Sequence, residues 1–530
     1  MATRPLGAQI SHMLKDRGVD VIFGIPGVHN QEMYRGIEEA GITHVLARHE
    51  QGAGFMADGY ARASGKPGIA YVITGPGLCN IMTPMGQAYS DSVPMLVISS
   101  CLDETAARRG QLHQMLDQET AARTVSDWSH EARTATAVYE LTDRALAEFA
   151  GARPRSKHIQ VPIGTLEAQA PAAPPPPRPG MTHAAPPEIV EMVAEALTAA
   201  ERPLLVLGGG CVNGAEMWRE VLQRTGAASF TTYAGKGIAA PDDPLYFGSY
   251  LELPDTADQI AKADLVLAVG TELAEVDLWR VDLGHKARFM RIDIDPSQLN
   301  SMPQTADGLL CDAAALAEGL LARDLRRATG WQASDVAAVR ARWKAEVDMD
   351  APGVLPVVQA LKAVLPDDTM IYSDMTTIAY AALQLWDMPR AGHWHHPFGF
   401  GTLGYAMPAA IGGAMARKGK PTLAIAGDYG FQYTVQELGA AVEMKLPLPI
   451  IVWDNGKLLA IENSMISAQI APNSVIAHNP DFCALACAYG ARAEAPETLE
   501  SLQAAVLAAF EADGPTVIYV TPNLGLEEAS

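Results

Sequence analysis

The stretch from Thr422 to Asn455 constrains this 530-residue chain most, because it admits very few topologies. Thr422-Leu-Ala-Ile-Ala426 is an apolar run that reads as a buried strand, closed by Gly427-Asp428-Tyr429-Gly430-Phe431. Thr434 to Lys445 has helical spacing, with no proline and no glycine pair. Pro449-Ile-Ile-Val-Trp453 then reads as a second strand, closed by Asp454-Asn455. Strand, helix and strand in that order imply a right-handed crossover that lays the two strands parallel. Asp428 and Asn455 therefore emerge together at the carboxyl edge of the sheet, where open α/β sheets bind ligands. A carboxylate and an amide oxygen there suit a hard divalent cation such as Mg²⁺, which keeps waters and takes phosphate oxygens. On this pair alone, two strand-end polar residues without metal are an equal reading.

Apolar runs alternate with helical patterns along the whole chain, which predicts doubly wound parallel sheets in an α/β protein. Pro171 to Pro187 is a proline-rich linker of polyproline character, and a softer boundary lies at Asp348-Met-Asp-Ala-Pro-Gly353. The expected domains are 1–170, 188–345 and 353–530, with 171–187 as the linker. A hydrophobic content of 48% is ample for several cores. No uncharged apolar stretch approaches the ~18 residues of a membrane span, and the opening MATRPLGAQISHMLKDRG reads as an amphipathic helix rather than a signal peptide. A net charge of −22 argues against nucleic acid or an anionic membrane as partner. Cysteines 79, 101, 211, 311, 483 and 487 show no metal or disulfide framework and read as buried thiols in a reducing cytoplasm.

Gly427–Phe431 with Trp453–Asn455 resembles the metal–diphosphate motif of thiamin diphosphate (ThDP) enzymes, which begins Gly-Asp-Gly and ends Asn-Asn. Tyr429 and Asp454 are departures from that pattern, and Tyr429 requires a backbone conformation not restricted to glycine. The run from Val45 to Arg62, containing His49-Glu50 and Asp58-Gly-Tyr60, is similar to the segment of acetohydroxyacid synthase-like enzymes that carries their activating glutamate. Val21–Gly27, Thr74-Gly-Pro-Gly77, Asn80, Asp91–Pro94 and Gly401–Gly412 follow in that family's order. Within the superfamily, FGIPGVHN, RHEQGAGFMADGYARASGKPG, SVPMLVISS and AVGTELAEVDLWR resemble the 5-guanidino-2-oxopentanoate decarboxylase group more than acetolactate synthases.

The resemblance implies three domains: pyrimidine-binding, central and diphosphate-binding. It implies that Glu50 bonds the aminopyrimidine, that the Gly401 carbonyl accepts from its amine, and that Leu403 holds the cofactor bent. Asp428, Asn455 and the carbonyl of Lys457 would hold Mg²⁺. Thr376 and Thr377 would bond the diphosphate at a helix start. Gly427, Tyr429 and Gly430 would lie against that diphosphate, and Pro26, Gly27, Thr74, Asn80, Leu458 and Leu459 elsewhere along the cofactor. A salt bridge from Glu50 to Arg48 or Arg62 is the plain alternative for that residue.

His29, His113 and Gln114 fall where the family faces substrate, and His395 and His396, after His393, are further candidates for moving a proton. A helix from Leu458 to Met465 is expected to line the pocket, with Glu462 on the face that can pair a guanidinium or else meet solvent. The implied reaction is non-oxidative decarboxylation of a 2-oxo acid to an aldehyde through an enamine. The substrate is a basic or elongated one such as 5-guanidino-2-oxopentanoate. The alternative is an acetolactate synthase-type carboligase joining two 2-oxo acids. The family builds each site between subunits, implying a homodimer or homotetramer. FAD is not expected. Pro203–Gly210 runs into a glycine turn, yet Asn213 stands where a third glycine belongs, and Gly270-Thr-Glu-Leu273 replaces the family's flavin-associated wording.

Overall fold

Runs of four to seven fully buried residues set the architecture, because a strand buried on both faces must be apolar throughout and needs helices above and below it. The computed structural model describes residues 3–106, 109–176, 184–299, 306–476 and 478–526. It contains three six-stranded sheets flanked by helices, whose strand pairs run parallel, as in doubly wound α/β domains. The linker residues 177–183 lie outside the described residues.

Two compact units emerge. The first contains the N-terminal sheet, ordered Thr43–Leu46, Val21–Gly24, Gly68–Val72, Met95–Cys101, Lys157–Pro162 and Trp128–Glu131. It also contains the strands Met370–Ser373, Thr422–Gly427, Pro449–Trp453, Thr516–Val520 and Arg492–Glu494, adjacent in that order. One hydrophobic core runs through both, from Phe23 and Val97 to Ala424 and Ile450. Its centre is the crossing of helix Glu50–Ser64 with helix Ala406–Ala416. A Cβ on Gly59 would lie 1.9 Å from the Ala409 carbonyl oxygen, and one on Gly412 1.9 Å from that of Met56, so both glycines are needed for the two backbones to meet.

The second unit holds the central sheet, ordered Tyr246–Gly248, Ala228–Thr231, Pro203–Leu207, Leu265–Val269, Arg288–Asp293 and Asp307–Leu310. Its glycine turn serves close packing: a Cβ on Gly208 would come within 2.3 Å of the Gly270 carbonyl oxygen. The segment 377–395 belongs to this unit.

Three local expectations need correction. Thr434–Lys445 is not one helix: a 3₁₀ turn at Val435–Glu437 precedes helix Leu438–Glu443, and a short helix, Asp428–Tyr433, comes before both. Thr434 interrupts the run at φ −134°, where its hydroxyl donates to the Gly404 carbonyl instead of continuing a helical turn. Nor are all six thiols buried: Cys101, Cys211 and Cys311 are, whereas Cys79 and Cys487 are exposed and Cys483 half-buried. The helix after Asn455 runs Leu459–Ser467 and buries none of its residues in this chain. The amphipathic opening forms helix Leu6–Asp16. Among the described residues, no helix is long and apolar enough to cross a membrane.

Candidate active site

Most of the residues marked by the sequence gather in two clusters within the first unit. In the first, the Val21–Gly24 strand runs into Ile25-Pro26-Gly27, where the Gly27 N–H donates to Asn30 Oδ1 at 2.7 Å. Beyond the neighbouring strand, His49 caps helix Glu50–Ser64 by accepting the Gln51 N–H on Nδ1 at 3.1 Å. Glu50 is thus the first helical residue, where the helix dipole favours a carboxylate. It is 8% exposed, and its Oε2 accepts from Asn80 Nδ2 at 2.8 Å. Neither neighbouring arginine takes it. Arg48 reaches Glu443 at 2.6 Å, and Arg62 reaches Asp58 at 2.7 Å and Asp91 at 2.9 Å.

Thr74 lies against Ser100, to whose hydroxyl its N–H donates at 3.0 Å, with the two hydroxyls 2.8 Å apart. The next residue, Gly75, has φ 71° and ψ −106°, and a Cβ there would come 2.5 Å from the His113 carbonyl oxygen, so the turn requires glycine. Its N–H donates to Gln118 Oε1 at 3.0 Å. Gln118 Nε2 in turn donates to Ser99 Oγ at 3.1 Å and to the Ser100 carbonyl at 2.8 Å. Ser99 and Ser129 hold the two ring nitrogens of buried His158 at 2.8 and 2.7 Å. A continuous polar chain therefore supports the turn that faces Glu50, and Gln118 is its hub. Gln114, the glutamine expected at the substrate, donates to the Thr105 carbonyl at 3.3 Å. His29 and His113 are brought together, Nδ1 to Nδ1 at 3.3 Å, with ring centroids 4.8 Å apart. His113 sits at φ 63°, and burial, followed by the neighbouring His113, lowers the His29 pKa.

The second cluster stands at the ends of strands Thr422–Gly427 and Pro449–Trp453. Gly427 abuts Thr376, whose Oγ1 would lie 2.7 Å from an added Cβ. Asp428 begins helix Asp428–Tyr433 and is 4% exposed. Tyr429 lies inside that helix and is not among the residues of positive φ, so replacing the motif's glycine there costs no backbone strain. Asn479 Nδ2 spans two carboxylates, donating to Asp428 Oδ2 at 2.7 Å and Asp454 Oδ1 at 2.9 Å. Tyr519 donates to the other oxygen of Asp454 at 3.0 Å. Burial foremost, with the charge of Asp454, raises the Asp428 pKa against the Asn479 bond, which lowers it. Asn455, the residue after Asp454, accepts the Lys457 N–H on its amide oxygen at 3.3 Å, and carboxylate, amide and carbonyl oxygens are donors whose chemistry fits a divalent cation. Asn479 had no sequence signal, being 51 positions beyond Asp428 in a stretch without periodicity.

Lys457 Nζ pairs with Glu462 Oε2 at 2.6 Å, so that carboxylate is already held in the first turn of the helix that Leu458 caps and Leu459 begins. Gly401, at φ 64°, and half-buried Leu403 lie on the turn leading to helix Ala406–Ala416. His396 is enclosed: its Nδ1 lies 2.9 Å from Ser373 Oγ, and burial pushes its pKa down to about 3, keeping the ring neutral. Thr377, at the start of helix Thr377–Leu385, and His395 fall in the second unit, as does His393, which lies 3.2 Å from Asp368.

Comparison with known proteins places family models over these regions: "Thiamine pyrophosphate enzyme, N-terminal TPP binding domain" at residues 4–121, the central domain at 190–320, and the "C-terminal TPP binding domain" at 374–520. The chain is 41% identical to the probable 2-ketoarginine decarboxylase AruI of Pseudomonas aeruginosa, across 97% of this chain and 94% of that protein. It is 28% identical to the acetolactate synthase isozyme 2 large subunit of Escherichia coli, across 97% and 95% respectively. To the acetolactate synthase large subunit of Parasynechococcus marenigrum it is also 28% identical, across 98% and 87%.

Proposed function

This chain belongs to the thiamine pyrophosphate enzyme family, and on that premise we propose that it is a ThDP- and Mg²⁺-dependent carboxy-lyase. It converts a 2-oxo acid to an aldehyde without oxidation. The observation that carries this reading is the stronger whole-length likeness to a decarboxylase than to the acetolactate synthases.

When bound, ThDP supplies an electron sink for the carbon that loses CO₂. The chain's own residues do the rest. Glu50, fixed at its helix start by Asn80, holds a proton at the pyrimidine nitrogen and so activates the cofactor. Asp428, Asn455 and the Lys457 carbonyl would hold Mg²⁺, while Thr376 and the N–H groups of Tyr429 and Gly430 would take the diphosphate. Gly401 and Leu403 would lie against the cofactor between its two rings, with Pro26, Gly27, Thr74, Leu458 and Leu459 as its further neighbours. The His29–His113 pair, with its ring nitrogens 3.3 Å apart, would exchange the proton that replaces CO₂, with Gln114 toward the substrate. Glu462 can transfer from Lys457 to a substrate guanidinium in a bidentate contact, which makes 5-guanidino-2-oxopentanoate the first substrate to try.

Each cluster borders exposed apolar side chains. Val28, Leu112 and Leu116 lie along the segments of the first, while Ile461, Ile466, Ile470 and Ile476 follow the second. A second copy of the chain covering both would shut water out of the site, so the proposal includes a cytoplasmic homodimer or homotetramer with sites shared between subunits. The proposed domains are 1–170, 188–345 and 353–530, joined by the linker 171–187.

Purified protein with Mg²⁺ and ThDP, given pyruvate or 5-guanidino-2-oxopentanoate in separate reactions, tests this by NMR of the products. Guanidino-aldehyde is the expected product of the second. Acetolactate from pyruvate, with no turnover of the second, overturns the lyase in favour of a carboligase.

A further inference from the structure

The turn Gly401-Thr402-Leu403 makes few bonds of its own, yet the backbone on either side of it is gripped by buried carboxylates. Upstream, Asp91 accepts the Gly399 N–H on Oδ1 at 2.8 Å and the Phe398 N–H on Oδ2 at 3.2 Å. Downstream, Asp374 accepts the Gly404 N–H at 3.0 Å and the Ala406 N–H at 3.4 Å on Oδ2, and the Met375 N–H on Oδ1 at 2.8 Å. Thr434 adds a bond to the Gly404 carbonyl at 2.9 Å, and Tyr405 donates to Asp58 at 2.7 Å. Asp374 is 1% exposed and Asp58 fully buried, and the Asp91 side chain is 4% exposed. Arg62 joins the upstream grip, bonding Asp58 and Asp91 together.

Burying carboxylates carries a desolvation cost, and a neutral cap satisfies one N–H more cheaply. What a carboxylate adds is two acceptor oxygens in fixed relation, each able to hold a separate N–H. At both Asp91 and Asp374 each oxygen is occupied by a donor, so an asparagine would turn an amide NH₂ against an N–H at either site.

We propose that Asp91 and Asp374 are positioning residues that clamp the Gly401–Leu403 turn from both sides, fixing how it meets the cofactor. Asp91 comes from the N-terminal strand–helix framework and Asp374 from the end of strand Met370–Ser373, so the turn is held by both sheets of its unit. This inference rests on the assignment of that turn to cofactor bending.

The test compares D91N and D374N with wild type for ThDP affinity and kcat at saturating ThDP, and D91N also for competition by inorganic pyrophosphate, a probe of the diphosphate site; D374N is left out of that arm because Asp374 packs against Gly430. D91N is expected to lose at least tenfold in both ThDP affinity and saturated kcat, with pyrophosphate competition unchanged. In an L403A background the same substitution is expected to add little, because both act through one turn. T434V, which deletes only the bond to the Gly404 carbonyl, should move the same quantities a few-fold and serves if D91N does not fold. Equal loss of pyrophosphate binding, full additivity with L403A, or unchanged kcat overturns the clamp. A wild-type protein that binds no ThDP would instead contradict the functional reading itself.

Discussion

His113 sits in a left-handed backbone conformation that a bulky residue adopts only when its surroundings impose it. Its carbonyl packs on Gly75 and its ring on His29, so the strain is the consequence of placing two imidazoles side by side. Because burial and the partner ring both disfavour charge on His29, that ring titrates below its ordinary 6.5. H113A removes the partner, so the His29 proton equilibrium should move back upward, and the acid limb of kcat against pH should shift toward higher pH. An unshifted limb in H113A would separate this pair from the rate-determining proton transfer. Glu50 and Asp428 were legible as residues because each sits at a strand or helix boundary whose local wording marks it. Gln118 and Asn479 were not: the partners that give them meaning lie 43 and 51 positions away, and only tertiary packing selects them.

At the scale of elements, the polar chain Ser129–His158–Ser99–Gln118–Gly75 ties three strands to the turn opposite Glu50. Q118L leaves the Gly75 N–H and the Ser100 carbonyl without their partner, which should cost about 1–3 kcal/mol for each buried group and lower kcat with the stability. Thermal unfolding alongside steady-state rates checks this, and an unchanged Tm would contradict it. His158 also sets a pH dependence. Burial pushes its pKa to about 3, while the unfolded chain titrates near 6.5, so between those values the unfolded state holds the extra proton. Stability should therefore fall as pH drops from about 6.5 toward 3, by a few kcal/mol in total from this group, and H158Q should flatten Tm against pH across that window. Strand positions were readable because burial on both faces leaves an unbroken apolar run. The break at Thr434 was not, since it depends on a hydroxyl finding the Gly404 carbonyl thirty positions upstream.

At the scale of the molecule, Glu50 bonds Asn80 of the N-terminal part of the chain and Asp428 bonds Asn479 of the C-terminal part, each cluster bordered by exposed apolar side chains. If two chains complete each other's sites, mixing E50Q subunits with D428A subunits under exchange restores activity, to roughly a quarter of wild type, because a hybrid pair contains one intact site. Two inactive variants that stay inactive on mixing would place both clusters in a site made by one chain. The parallel sheets were visible in the chain's alternating pattern; the grouping of exposed isoleucines beside the second cluster was not, because an apolar residue in a sequence carries no mark of its exposure.

The proposed activity depends on Glu50 above all, and CO₂ release from a 2-oxo acid by E50Q at saturating Mg²⁺ and ThDP measures that dependence most directly. The predicted result is a fall in kcat of about 10²–10⁴-fold with ThDP still bound and Tm unchanged. Wild-type turnover in E50Q, or wild-type turnover that needs no ThDP, would contradict it.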